Sequence, residues 1–210
     1  MRHRWLIAAC LVFVATPTLA GGEEESGLPG TLLRVALGAT FPLSDLANDS
    51  LTEGWAGMQK AGITGAVSLR YALQEVVYLR PEIFAHRFGA HEGTDTAEDP
   101  PLSWTRRAMI AGFRVNLDYI PTDRQGWTPF ITSGLGLAYL RYRDEIEGDS
   151  PGDLTEETVG ATAQVGLGLW FPRFEVLLSG TLQEPNFDVI GRTSWTAVDL
   201  TISYALPIAL

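Results

Sequence analysis

Two acidic stretches carry the densest chemistry in this chain. From Arg143 to Glu157, a single cation stands against Asp144, Glu145, Glu147, Asp149, Asp153, Glu156 and Glu157. Between Ala90 and Ser103 lie Glu92, Asp95, Glu98 and Asp99. Hard carboxylate oxygens suit divalent cations, which makes Asp144, Glu145, Glu147, Asp149 and Asp153 the candidate ligands of a cation-binding loop. The D-x-[DN]-x-[DN]-G spacing of a calcium loop is absent. Looser bridging of lipid phosphates through Ca²⁺ or Mg²⁺ is therefore expected, beside the plainer expectation of a solvated acidic loop. His86 and His91 flank the second stretch. Two histidines do not make a zinc site, and both are expected at a wet rim. A nucleophilic serine needs a base within hydrogen-bond reach. Ser103 and Ser133 are the rim-side hydroxyls, while both histidines lie at one rim, so no enzyme is expected. No metal and no cofactor is expected either.

A second set of charges is scattered: Arg34, Arg70, Arg80, Glu82, Arg114, Asp118, Glu175 and Asp199. What these can do depends on the elements that position them. No helical periodicity persists anywhere. Eight runs instead alternate apolar with polar or small residues, the period of a strand with two different faces. They are Thr31–Phe41, Gly62–Leu73, Glu75–His86, Trp104–Tyr119, Thr128–Tyr142, Thr158–Phe171, Phe174–Gln183 and Thr193–Leu206. In the fifth, Ile131, Leu135, Leu137 and Tyr139 oppose Thr132, Gly134, Gly136 and Ala138. The third is the weakest, because Pro81 interrupts it and Phe84 falls on its polar face.

The connections choose the architecture. They measure about 20, 2, 17, 8, 15, 2 and 9 residues, within the usual boundary error. Long links follow the odd runs and short ones the even runs. A meander with long loops at one end and tight turns at the other is the pattern of an outer-membrane barrel. Most runs also reach the roughly 9–11 residues that a tilted strand needs to cross a bilayer. With the short turns periplasmic, Tyr71, Tyr119, Phe171, Phe174 and Tyr204 fall near the periplasmic rim on the apolar face, and Phe41 and Tyr139 near the outer rim. Trp127 and Trp170 fall at the periplasmic level, Trp104 and Trp195 at the outer one. Rings at two levels with aliphatic residues between them form the girdles of a membrane barrel.

The eight scattered charges then share the inward face. Four cations and four anions can pair there, as charges taken out of water must. Gly134, Gly136, Gly166 and Gly168 also face inward on adjacent runs, making room for large lumen side chains.

On these runs, residues 31–210 resemble the small eight-stranded outer-membrane barrels of the OmpA/OmpX type. The resemblance lies in the pattern and not in a diagnostic motif. It implies an all-β, closed, antiparallel up-and-down transmembrane barrel with extracellular loops, often used for binding. Such chains commonly end in an aromatic residue, whereas this one ends Tyr204-Ala-Leu-Pro-Ile-Ala-Leu210. One outer-membrane deacylase family carries a His-x-Ser pair. Here the histidines read His86-Arg87-Phe88 and His91-Glu92-Gly93, which do not match it.

The remainder of the chain supports export. Arg2 and Arg4, an apolar run from Trp5 to Val14 and the small residues Thr18-Leu19-Ala20 have the parts of a secretory signal peptide over residues 1–20. An acidic leader follows over residues 21–30. Cleavage removes Cys10, the single cysteine, and takes the net charge from −10 to −12 with the loss of Arg2 and Arg4. Such a charge excludes a nucleic-acid partner, which needs a cationic surface.

An eight-stranded interior is just wide enough for its own side chains, so a diffusion porin is excluded. The expected role is structural or surface-interactive, exercised through acidic extracellular loops with the lumen largely plugged. The partners would be outer-membrane lipid and lipopolysaccharide, bridged by divalent cations. A narrow pore or conduit for small molecules, a lipid-A-modifying enzyme and a soluble ligand-binding barrel are the alternatives.

Overall fold

Strict alternation gives a segment one apolar and one polar face, and a strand is the element that separates them. The computed structural model describes residues 31–44, 60–95, 102–121, 127–147, 152–171, 173–188, 191–192 and 194–207. The described elements are all strands: β1 (Thr31–Ser44), β2 (Lys60–Ala72), β3 (Val77–Gly89), β4 (His91–Asp95), β5 (Leu102–Tyr119), β6 (Thr128–Glu147), β7 (Gly152–Trp170), β8 (Phe174–Gln183), β9 (Asn186–Phe187), β10 (Gly191–Arg192) and β11 (Trp195–Pro207).

The sheet runs in the order β3-β2-β1-β11-β8-β7-β6-β5, and β3 pairs with β5 to close the ring. All pairs are antiparallel. The strand β4 continues β3 on the same neighbour. Arg87 faces Met109 and His91 faces Arg106, so one extra residue on the β3–β4 side makes a bulge at that point. β9 and β10 form a small ribbon of their own. The result is a closed eight-stranded, up-and-down antiparallel barrel.

Its polarity is that of a transmembrane barrel. Leu135 is 72% exposed and Leu137 is 63% exposed, while Asp118 and Asn116 are fully buried. An apolar exterior of this extent is stable only against lipid.

Pro81, the interruption in the third run, sits within β3 without breaking it. The β2–β3 register runs Ser68↔Glu82 and resumes at Tyr71↔Leu79, so the missing N–H falls where that ladder has a gap. Gly168 lies beside Phe130: a Cβ on it would sit 2.2 Å from that ring. A glycine there lets the ring fill the lumen.

The long link expected over residues 143–157 is instead mostly strand. β6 reaches Glu147, β7 begins at Gly152, and the two stay paired from Ile146↔Gly152 downward. Alternation persists there with charges in place of apolar residues, and hydropathy alone does not register it. At 18, 20 and 19 residues, β5, β6 and β7 far exceed the roughly 9–11 residues of a bilayer crossing. With β4 they form a sheet that stands beyond the membrane.

Candidate functional site

The lumen is layered. At the end where β5 and β7 finish, Leu32, Tyr78, Ile120, Phe130, Trp170, Leu177 and Ala205 pack into an apolar cluster. Above it runs a chain of alternating charges. Arg34 pairs with Glu175 and donates to the Ser203 hydroxyl at 2.7 Å. The other oxygen of Glu175 accepts from Arg70 at 2.7 Å. Arg70 donates to Asp118 through Nε and Nη2 at 2.9 and 2.7 Å. Asp118 also accepts from Arg80 Nε at 2.9 Å. Arg80 pairs with Glu82, and Glu82 accepts from Arg114 Nε at 2.6 Å. Arg70, Arg80, Asp118 and Glu175 are each at most 2% exposed, so every link is made out of water.

Aromatic faces flank the chain at Arg70 and at Arg114. The Arg70 guanidinium lies 5.5 Å from the Phe130 ring centre and 5.6 Å from that of Trp170. That of Arg114 lies 4.3 Å from Phe84. Such contacts suit a desolvated cation. Asp199 stands apart from the arginine chain: His86 Nδ1 lies 3.2 Å away, and the Thr181 hydroxyl donates to it at 3.4 Å. The gap left among Arg34, Arg80, Glu82, Arg114, Gln164 and Asp199 is about 10 Å³, roughly the space of one water molecule.

Toward the opposite end the lumen turns apolar again, with Phe84, Phe88, Ile110, Leu140, Phe187 and Trp195 in one buried cluster. Arg106 and Asp144 then pair across β5 and β6 at 3.1 Å. Phe84 on the polar face of the third run is thus part of a packed layer.

Among the expected girdle residues, Phe41, Tyr119, Phe174 and Tyr204 are exposed on the outer wall, and Tyr71, Tyr139 and Phe171 are partly so. Phe174 stacks edge-on against Tyr204 at 5.2 Å, and Trp127 lies 4.4 Å from Phe171. Trp170 and Trp195 turn into the lumen and leave the girdles; Trp195 is fully buried. Asp144 is buried against Arg106, and Glu145 is held by Arg107 and Arg143. These two are strand residues committed to arginines. Glu147 and Asp153 lie on β6 and β7, and Asp149 lies outside the described residues. Among the described residues, no group of three or more histidine, cysteine or carboxylate side chains is arranged for a metal.

His86 is not at a wet rim but 1% exposed inside the barrel. Its neighbours there are Asp199 and the Thr40 hydroxyl, at 3.2 and 3.4 Å, and both face the same nitrogen, Nδ1. A catalytic relay needs nucleophile and carboxylate on opposite nitrogens. Ser133 faces outward, away from this histidine.

No family model matches the chain, and no curated protein does. The fold is that of known outer-membrane proteins. Ail, the attachment invasion locus protein of Yersinia pestis, superposes with a TM-score of 0.52 at 10% identity, covering 84% of this chain and 99% of Ail. A major outer membrane protein of Thermus thermophilus gives 0.50 at 10% identity, over 84% of this chain and all of the other. The N-terminal barrel domain of Pseudomonas aeruginosa OprF gives 0.45 at 17% identity, over 84% and 98%.

Proposed function

We propose that this chain is an exported outer-membrane barrel without enzymatic activity, whose lumen is closed and whose role is structural or surface-interactive. The observation that carries this reading is the unbroken chain from Arg34 to Arg114, capped above and below by apolar clusters. A buried ion pair is costly to break once made, so the lumen is a packed core. What remains for interaction is the outer wall and the sheet of β4–β7 with its acid-rich tip. Contact with the phosphates of outer-membrane lipid, directly or through divalent cations at the acids of that tip, fits this placement.

The test is conductance. The purified barrel, shown folded by a heat-modifiable gel shift, is reconstituted in a planar bilayer. No steady channel is expected at neutral pH. Ohmic single-channel steps in every folded preparation would refute the closed lumen and favour a conduit.

A further inference from the structure

Among the described residues, the outer wall carries a cationic edge on one side only. On four neighbouring strands, the first charged outward residue past the apolar band is basic. On β2 the apolar Ile63 gives way to exposed Lys60; on β3 Ile83 and Ala85 give way to Arg87. On β5 Met109 gives way to Arg107, and on β6 Tyr139 gives way to Arg141 and then Arg143. The register makes these one patch: Arg87 and Arg141 both face Met109, and Arg107 faces Arg143 directly. Round the barrel the sign changes. On β7 Val159 gives way to Glu157, and past β8 Leu182 is followed by exposed Glu184.

Two like charges directly opposite are unfavourable on a sheet. Here Glu145 holds the pair, with both its oxygens 2.9 Å from Arg107 Nη1 and one 2.9 Å from Arg143 Nε. The guanidiniums are thus set side by side while their side chains remain 48% and 42% exposed. Arg141 is 44% exposed and pairs with Glu157 only at 3.4 Å. Among the residues whose side chains are described, five cations stand on this wall against Glu92 and Glu145, with Glu157 beside them on β7, in a chain whose net charge is −10. A planar guanidinium binds phosphate through two parallel hydrogen bonds.

We propose that this wall of β2, β3, β5 and β6 is a docking site for the phosphorylated headgroup of an outer-leaflet glycolipid. The site lies where the lipid-facing surface ends, so its anion comes with acyl chains that continue down the apolar wall past Leu135 and Leu137. This rests on the outer-membrane reading and assigns its direct mode of phosphate contact to these arginines.

The test is native mass spectrometry of the detergent-solubilised barrel with bisphosphorylated lipid A, with the same lipid A dephosphorylated, and with inorganic phosphate. The bisphosphorylated lipid should bind at least tenfold tighter than the dephosphorylated one, and inorganic phosphate should not compete at equal concentration. The triple variant R107Q/R141Q/R143Q should lose at least tenfold in affinity while keeping its heat-modifiable gel shift. Equal affinity for the two lipids, or an unchanged triple variant, overturns the proposal. If the triple variant does not fold, the lipid comparison on the unaltered chain and on Arg87→Gln decides. A barrel that shifts on the gel but does not discriminate the lipids sinks this site alone; a chain that shows no shift sinks the barrel reading and the site together.

Discussion

Replacing Asp118 with leucine removes the middle carboxylate of the lumen chain. Asp118 is fully buried and accepts from both Arg70 and Arg80 at 2.7 to 3.2 Å. A hydrogen bond to a charged group contributes about 1.5–3 kcal/mol, so two guanidinium partners put about 3–6 kcal/mol at stake. Breaking a buried pair from one side costs about 3–5 kcal/mol, because a charge is left without its counterion. Both routes give about 4 kcal/mol, a shift of nearly a thousandfold in the folding equilibrium at about 1.4 kcal/mol per tenfold. Urea titration in detergent micelles reads this, with the unboiled gel band as the folded fraction. The double variant Arg80→Met/Asp118→Leu should lose less than the sum of the two singles, since it removes a cation along with its anion. A loss under about 1 kcal/mol for Asp118→Leu, the value of an exposed pair, would show that these charges are hydrated and refute the packed lumen.

Other consequences follow from the same geometry. Leu135→Arg places a charge in the middle of the lipid face and should cost about 2–4 kcal/mol in a bilayer, read by urea titration in vesicles; a neutral effect would count against a membrane-facing wall. Gly168→Val puts a Cβ 2.2 Å from the Phe130 ring and should cost about 1–3 kcal/mol as overpacking, whereas Gly180→Ala, with nothing within 4 Å, should cost well under that in the same titration. Protease added to intact cells should cut between β6 and β7, at residues 148–151, and spare the β5–β6 connection at residues 122–126; cleavage of the latter alone would invert the orientation.

Much of the wall was legible in the sequence because alternation is read one residue at a time. Arg34, Arg70, Arg114 and Asp118 fall on the polar face of their runs, and in the structure they lie in the lumen. Less was legible where the lumen departs from uniform polarity. Phe84, Phe88 and Trp195 face inward because the outer half of the interior is an apolar layer, which a rule of polar inside and apolar outside does not anticipate. For the same reason His86, on the inward face near the end of its run, is enclosed by rings of Phe84 and Phe88 instead of wetted. The extension of β6 and β7 was hidden for another reason. Beyond Tyr139 both faces carry charge, so the period-two signal continues in the sign and pairing of residues, with Asp144 inward on Arg106 and Glu145 outward on Arg107. Pairings across strands are not written in one strand's hydropathy. The order of the links from Arg34 to Arg114 likewise depends on register, which single runs do not contain.

The barrel is inside out, and its lipid face ends on β6 between Tyr139 and Arg141. The single Cys10 lies in the segment expected to be cleaved, so nitroxide labels can be placed one at a time on introduced cysteines along residues 131–145 in vesicles. Collisions with oxygen should peak at the odd positions through 139 and drop at the even ones. At 141, 143 and 145 a water-soluble nickel reagent should take over. A scan without the two-residue period, or with nickel access at 135 and 137, would show that this wall does not face lipid.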